Sequence, residues 1–478
     1  MVKPAYIFLL PFFITVLGYS TVVGQKRATP PDWHTKVGAQ SKPSKTKEFF
    51  VNDYGGQHDG ITLNTEAIQA AIDDCAKDGG GIVRFQPGSY LTGSIFVKRN
   101  VHLRIDSNVT LLGSQDIHDY KVIDTRVAGI EMQWPAALIN VLNQENAAIS
   151  GTGLIHAQGK PFWEQYWRMR TEEYEPKGLR WIVDYDARRP RTILVSNAKN
   201  VTLEDLEIQQ AGFWTVQILY STYVTIDGLI INNNVDGHGP STDGIDIDSS
   251  SWILVQNTDI DCNDDNFCIK AGRDADGLRV NRPAEYIIIR DCFARRGAGL
   301  LTLGSETSGG IRHVYATNIQ GSGTKNCLNI KSATTRGGTV EDILLENVKM
   351  DSVGVVLQIN MNWNPSYSYS KLPEGYNYNE IPEHWKTLLQ PVEPAERGIP
   401  TFRNITMRNV QIKGANRAIN VEGLPSSWVE QITLQNVSIE AKEAGKIRYS
   451  KNWNVQDFKL EIKDGSVVAK QHTANISL

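Results

Sequence analysis

The chain has 478 residues, of which 41% are hydrophobic and 21% charged, with 40 Gly and a formal net charge of −4. That length exceeds one compact core of ordinary size, so the chain holds several domains or one elongated repeat architecture, and its acidic balance argues against nucleic acid as a general partner. Five cysteines, at 75, 262, 268, 292 and 327, are odd in number and sparse. They exclude a disulfide framework, offer no CxxC spacing for a metal, and read as buried small apolar residues.

In chain order, the first segment carries Lys3, an apolar stretch from about Ala5 to Leu17 and small residues before Gln25. This is the pattern of a secretory signal peptide over 1–24, with a retained anchor as the competing reading. No other stretch is long and apolar enough to span a bilayer, so the mature protein is expected to be exported, to the periplasm or beyond. A flexible segment is expected over 25–45 and a single domain over 46–478. One helix is expected early, in LNTEAIQAAIDDCAKDGGG: Asn64 or Thr65 can cap it, and Ala67, Ile68, Ala71, Ile72 and Cys75 share an apolar face. Gly79 to Gly81 end it, and its place suits the N-terminal cap of a solenoid.

From Val201 one short pattern recurs: VTLEDLEI, then VTIDGLII from Val224, ILVQNTDI from Ile253, IIIRDCFA from Ile287, VYATNIQG from Val314, ILLENVKM from Ile343, ITMRNVQI from Ile405 and ITLQNVSI from Ile432. The starts lie 23, 29, 34, 27, 29, 62 and 27 residues apart. Each copy alternates apolar and polar residues and then places a turn residue, often Asn or Asp, before a second apolar stretch. Strands at such periods, without helical patterns between them, indicate an all-β solenoid. The lack of βα units disfavours a leucine-rich horseshoe, and the unequal spacings disfavour a propeller. A right-handed parallel β-helix remains, with insertions bulging out at its turns. Two aromatic-rich insertions interrupt it, at 161–190 and 360–400. Their Trp163, Trp181, Trp363 and Tyr367 are either a stacking platform for sugar rings or self-packing that holds long loops.

Three acidic residues stand out: Asp243 in GPSTDGIDIDSS, and the adjacent Asp264 and Asp265 in CNDDNFCIKAG. Asp243 and Asp264 are 21 residues apart, close to one coil, which stacks them at the same turn of neighbouring coils. Such a cluster admits three readings: a solvated turn, a calcium site, or paired carboxyl groups for glycoside hydrolysis. In the last case an acid–base separation of about 6.5–9.5 Å admits a water and gives inversion.

Over most of the mature chain the sequence is similar to glycoside hydrolase family 28, the polygalacturonase family of inverting pectin hydrolases on a right-handed parallel β-helix. The resemblance rests on DYGGQHDG, GGGIVRFQPGSYLTG, RPRTI at 189–193, GFWTV at 212–216, GSETSGGIRHV at 304–314 and RGG at 336–338. Ser241, Thr242 and Asp243 match the family's Asn-Thr-Asp motif, and Asp264 and Asp265 its Asp-Asp motif. The resemblance implies that Asp264 is the general acid and that Asp243 and Asp265 activate water.

Two departures shape the expected substrate. Gly297, Ala298 and Gly299 stand where the family has Gly-His-Gly, and Asn329, Ile330 and Lys331 where it has Arg-Ile-Lys. An Asn amide does not replace an Arg–carboxylate fork, so the sugar on that side is expected to lack a carboxylate. Cleavage of an α-galacturonosyl bond to rhamnose in rhamnogalacturonan is therefore the first expectation. A poly- or exo-galacturonidase acting on homogalacturonan is the alternative, kept open by RDADGLRVN at 273–281; a polysaccharide lyase and a non-catalytic carbohydrate binder are rivals of other classes. Lys331 and Arg336 are candidates to meet a carboxylate in a neighbouring subsite, His238 to stand in for the missing His, and Ser241 and Asn329 to line the substrate site. The expected partner is a pectic polysaccharide or oligosaccharide; no metal, cofactor or nucleic acid is expected, and the protein is expected to be a monomer.

Overall fold

The computed structural model describes residues 30–478; the signal-peptide reading lies outside these residues. Trp33–Leu478 form one compact unit, a right-handed parallel β-helix. The eight repeat starts seen in the sequence fall into a single column: Val201 pairs with Val224, then Ile253, Ile287, Val314, Ile343, Ile405 and Ile432 in unbroken parallel register. The one long interval, between Ile343 and Ile405, contains the second insertion. Four residues after each start the backbone turns. Asp205, Asn257, Asp291, Asn318, Asn347, Asn409 and Asn436 all take positive φ there, and Gly228 fills the same place in its coil. Asn and Asp tolerate this left-handed conformation. Their side chains also bond from coil to coil, as in Asn409 to Asn347 at 3.0 Å and Asn436 to Asn409 at 2.9 Å.

A second row of strands carries the site: Ile193–Ser196, Val216–Leu219, Ile245–Asp248, Asp265–Lys270, Gly299–Leu303, Asn326–Lys331 and Val355–Asn360. Side chains alternate across a strand. One inward column is Val195, Ile218, Ile247, Ile269, Leu303, Ile330 and Ile359, all buried. The neighbouring outward column is Leu194, Gln217, Asp246, Cys268, Thr302, Asn329 and Gln358. All five cysteines are free and buried.

The helix Thr65–Lys77 closes the N-terminal end, burying Ile68, Ala71, Ile72 and Cys75. Neither expected residue caps it through its side chain: Asn64 accepts from Gln57 N at 2.6 Å, and Thr65 accepts from Gly93 N at 2.8 Å. The expectation of a flexible segment to residue 45 also gives way from Trp33 onward. Gly38 N bonds Trp252 O at 2.9 Å, Ala39 N bonds Thr225 Oγ1 at 2.8 Å, Gln40 N bonds Asn200 Oδ1 at 3.0 Å, and Trp33 packs edge-on against Tyr286. The segment is a strap, held because it satisfies polar groups on successive coils.

A second hydrophobic core lies on the outer side of the site-bearing row. An antiparallel hairpin, Val122–Val127 with Ile130–Pro135, joins the two insertions there. Val127, Trp134, Trp181, Tyr185, Phe213, Trp214, Ile381, Trp385 and Leu388 form one buried cluster. The aromatic question thus divides. Trp181 and Trp385 pack on each other, and Trp163 is buried with its Nε1 bonded to Ala211 O, whereas Trp363 and Tyr367 reach the pocket that holds the three aspartates.

Candidate active site

Asp243 and Asp264 each stand just ahead of a strand of the site-bearing row, and Asp265 begins one. Because Ile245 pairs with Phe267, the offset between these coils is one residue longer than the sequence spacing suggests. Asp243 therefore sits beside Asp265 rather than Asp264, and Gly244 N bonds Asp265 O at 2.9 Å. Two like charges can be adjacent here because the chain enters the strand between them. Asp265 is buried, while Asp264 remains in the turn at the pocket surface and accepts a hydrogen bond from Asp265 N at 3.0 Å.

The surrounding side chains give the carboxyl groups different protonation states. Lys331 Nζ lies 2.8 Å from Asp265 Oδ2, and Thr302 Oγ1 donates to Asp265 Oδ1 at 2.7 Å. Burial alone would raise the Asp265 carboxyl, but Lys331 and Lys270 outweigh it and hold the group below the usual carboxylate range. Burial raises Asp264, and the charges of Asp243 and Asp265 raise it further, to about 8. Asp243 is also pushed well up, by burial and then by Asp246 beside it, although Lys270 opposes this at 3.3 Å. Lys270 is held in turn by Asp246 at 3.2 Å and Glu306 at 3.9 Å, and its ammonium lies 4.4 Å from the centre of the Trp214 ring. The pocket therefore holds Asp265 as its proton acceptor and Asp264 as a proton donor, with Asp243 shifted toward its neutral form as well.

A cation site was the competing reading of this cluster. Asp243, Asp265 and Cys268 bring one ligand-type atom each within 4.8 Å of one another. Lys331 and Lys270 already place ammonium groups on the two carboxylates of that set, so the positive charge is supplied by the chain itself and the donor set does not suit a metal ion.

Of the other expected site residues, Lys331 and Ser241 line the pocket. Three do not. Asn329 lies in the outward column between Thr302 and Gln358, off the pocket wall. Arg336 is fully buried, bonded to Asp274 and to Ser305 O at 3.2 Å, and serves as an internal ion pair instead of a substrate cation. His238 is exposed, its ring 3.0 Å from Asn234 Oδ1, and stays outside the pocket. Ala298, at the position of the missing His, contributes only its backbone, with its N–H bonded to Asp264 O at 2.7 Å.

Sequence reading missed Lys270, Glu306, Trp214, Arg180 and Asp184, all of which line the pocket. Lys270 was legible in principle, since it follows Cys268 by two and shares its outward phase. Arg180 and Asp184 belong to an insertion without periodicity, and nothing in their spacing points to the pocket.

A β-helix that presents a protonated and an ionised carboxyl group in one pocket on an outward strand row is built as a glycosidase. Residues 89–381 match the profile of Glycosyl hydrolases family 28; the chain belongs to that family and is a glycoside hydrolase. It is similar to a probable polygalacturonase from Vitis vinifera, 27% identical over 83% of this chain and 75% of that one. An exo-poly-alpha-D-galacturonosidase from Dickeya chrysanthemi is 24% identical over 82% of this chain and 67% of its own length. Among solved structures, a hyperthermoactive exopolygalacturonase from Thermotoga maritima superposes with a TM-score of 0.70 at 26% identity, covering 90% of this chain and 94% of that one.

Proposed function

We propose that this protein is an exo-acting galacturonidase that hydrolyses the terminal α-galacturonosyl linkage of a pectic chain. The observation that carries the reading is the second core. It covers the outer face of the strand row beside the three aspartates, through Phe213 and Trp214, and it is locked by bonds between separate segments: Tyr185 OH to Ala128 O at 2.7 Å, Trp181 Nε1 to Lys371 O at 3.0 Å, and Arg273 Nη2 to Tyr367 O at 2.9 Å. We take this core to close one end of the substrate groove, so that a chain terminus enters and the middle of a polymer does not. The names of the Dickeya and Thermotoga relatives agree with this reading. It takes the place of the rhamnogalacturonan expectation, which rested on the departures at Ala298 and Asn329, because the relatives named above are poly- and exo-galacturonases. Export, the expectation from the first residues, suits an enzyme whose polymeric substrate stays outside the cell. Among the described residues no helix is long and apolar enough to cross a membrane.

In this mechanism Asp264 passes its proton to the glycosidic oxygen as the bond to the anomeric carbon breaks. Asp265 takes a proton from a water that attacks the opposite face, and the configuration inverts. Asp243, next to Asp265 and fixed by Lys270, orients that water. One turnover leaves Asp264 ionised and Asp265 protonated; exchange with solvent restores both.

Chromatography of early products tests the reading, with homogalacturonan and rhamnogalacturonan oligomers offered in parallel. Release of one product size from the first time point on homogalacturonan is expected. A spread of sizes would overturn exo action, products from rhamnogalacturonan alone would overturn the substrate, and an ultraviolet-absorbing unsaturated end would overturn hydrolysis.

A further inference from the structure

Three cations line the catalytic pocket: Lys270, Lys331 and Arg180. The two lysines are committed to the catalytic carboxylates, Lys331 to Asp265 and Lys270 to Asp243, Asp246 and Glu306. Arg180 is different. Its Nη1 bonds Asp184, which is outside the aspartate trio, and among the described residues its second terminal nitrogen has no hydrogen-bond acceptor. Asp184 is shared with Arg189, 3.8 Å away, so two guanidinium groups face one carboxylate. Glu175, 3.9 Å from Arg180 Nε, is already bonded by Arg170 at 2.6 Å. Around Arg180 three guanidinium groups, its own and those of Arg170 and Arg189, face two carboxylates, Asp184 and Glu175.

We infer that Arg180 is the specificity-determining residue of the pocket, donating to the carboxylate of the terminal uronosyl unit; this rests on the galacturonidase reading above. The guanidinium is held ready in three ways. Asp184 fixes one edge and is itself fixed by Tyr166 OH at 2.9 Å, and the Tyr367 ring lies 5.1 Å behind the cation. The Arg180 side chain is 16% exposed, enough to meet a ligand yet sheltered enough to strengthen a charge-assisted bond. A uronosyl carboxylate turned toward Asp265 would meet like charge, so attraction and repulsion favour the same ring orientation. Because Arg180 comes from the 161–190 insertion, the segment that helps to close the groove also reads the charge of the sugar.

The test compares trigalacturonic acid with its methyl ester, measuring kcat and KM for the wild type, Arg180→Gln and Arg180→Lys, with thermal unfolding as the check on folding. The wild type should prefer the acid. In Arg180→Gln that preference should fall about ten- to a hundred-fold, mainly through KM, the loss expected for one hydrogen bond to a charged group. Arg180→Lys should retain an intermediate preference, since it keeps the charge and loses the fork. A folded Arg180→Gln enzyme with the full acid preference would overturn the inference, and so would one that loses acid and ester turnover equally. A wild type that cleaves galacturonosyl bonds without preferring the acid would overturn it while leaving the galacturonidase reading intact; a wild type inactive on both would remove that reading as well.

Discussion

In the solenoid, Ile269 stacks beneath Leu303, and Leu303 beneath Ile330, each coil repeating the one before. In the cap outside that strand row, Trp181 meets Trp385, Arg180 meets Tyr367, and Asp186 accepts from Tyr174 and from Trp385 at 2.9 and 3.0 Å. The first region is stabilised by register. Like residues stack at one strand spacing, and a change in one coil is felt by two neighbours. The second is stabilised by particular partners drawn from distant segments. The proposed function divides the labour accordingly: proton transfer on the repeating wall, where carboxyl positions are fixed by backbone pairing, and closure and charge recognition on the irregular cap.

Substitutions can sharpen or break this contrast. The largest effect is expected at Asp264→Asn, which should lower kcat by at least about a hundred-fold, up to about ten-thousand-fold, with substrate affinity and thermal unfolding nearly unchanged. Turnover retained in the purified variant would remove Asp264 from the acid role. Next, Ile269→Ala should lower the global unfolding free energy by about 2–5 kcal/mol, measured by denaturant titration. Trp181→Ala should leave the main transition of the solenoid in place and broaden the product sizes instead. Equal global destabilisation by both would show that wall and cap are one cooperative unit.

The pH profile tests the charge assignment of the wall. In the proposed mechanism Asp265 works as an anion, and its depressed affinity for protons keeps it ionised until pH falls below the usual carboxylate range. Asp264 works as an acid and loses its proton as pH rises through about 8. kcat should therefore be flat across mildly acidic to neutral pH and fall as pH passes about 8. Lys331→Met removes the nearest cation from Asp265, which should raise its affinity for protons and move the acidic limb upward. An unmoved limb would mean that another group sets it. The smallest effect is expected at Asn347→Ala. An alanine at positive φ costs roughly 1–2 kcal/mol, and two links of the coil-to-coil ladder, to Asn318 and from Asn409, are lost with it. Asn347→Gly should recover most of the strain term, as Gly228 does in its own coil.

Much of the wall was legible in the amino-acid order. Strict alternation plus a turn residue at a fixed place let Val201, Val224, Ile253, Ile287, Val314, Ile343, Ile405 and Ile432 be aligned by eye, and the structure stacks them in that order. The acidic trio was legible from its spacing of about one coil together with the motifs of the family, and Lys331 from a family motif, although all lie on the neighbouring strand row. Arg336 and His238 misled because sequence gives charge without direction: one side chain turns inward to Asp274, and the other lies on an exposed loop.

By itself, then, the sequence determined the solenoid, its coil spacing and the strand row on which acids could meet, because period-two patterning and left-handed turn residues act locally and repeat. Only the tertiary structure decided that Asp243 lies beside Asp265 and that two insertions separated by about two hundred residues of chain meet outside one strand row. Those outcomes depend on contacts between segments far apart in sequence, and no local pattern records a partner that distant.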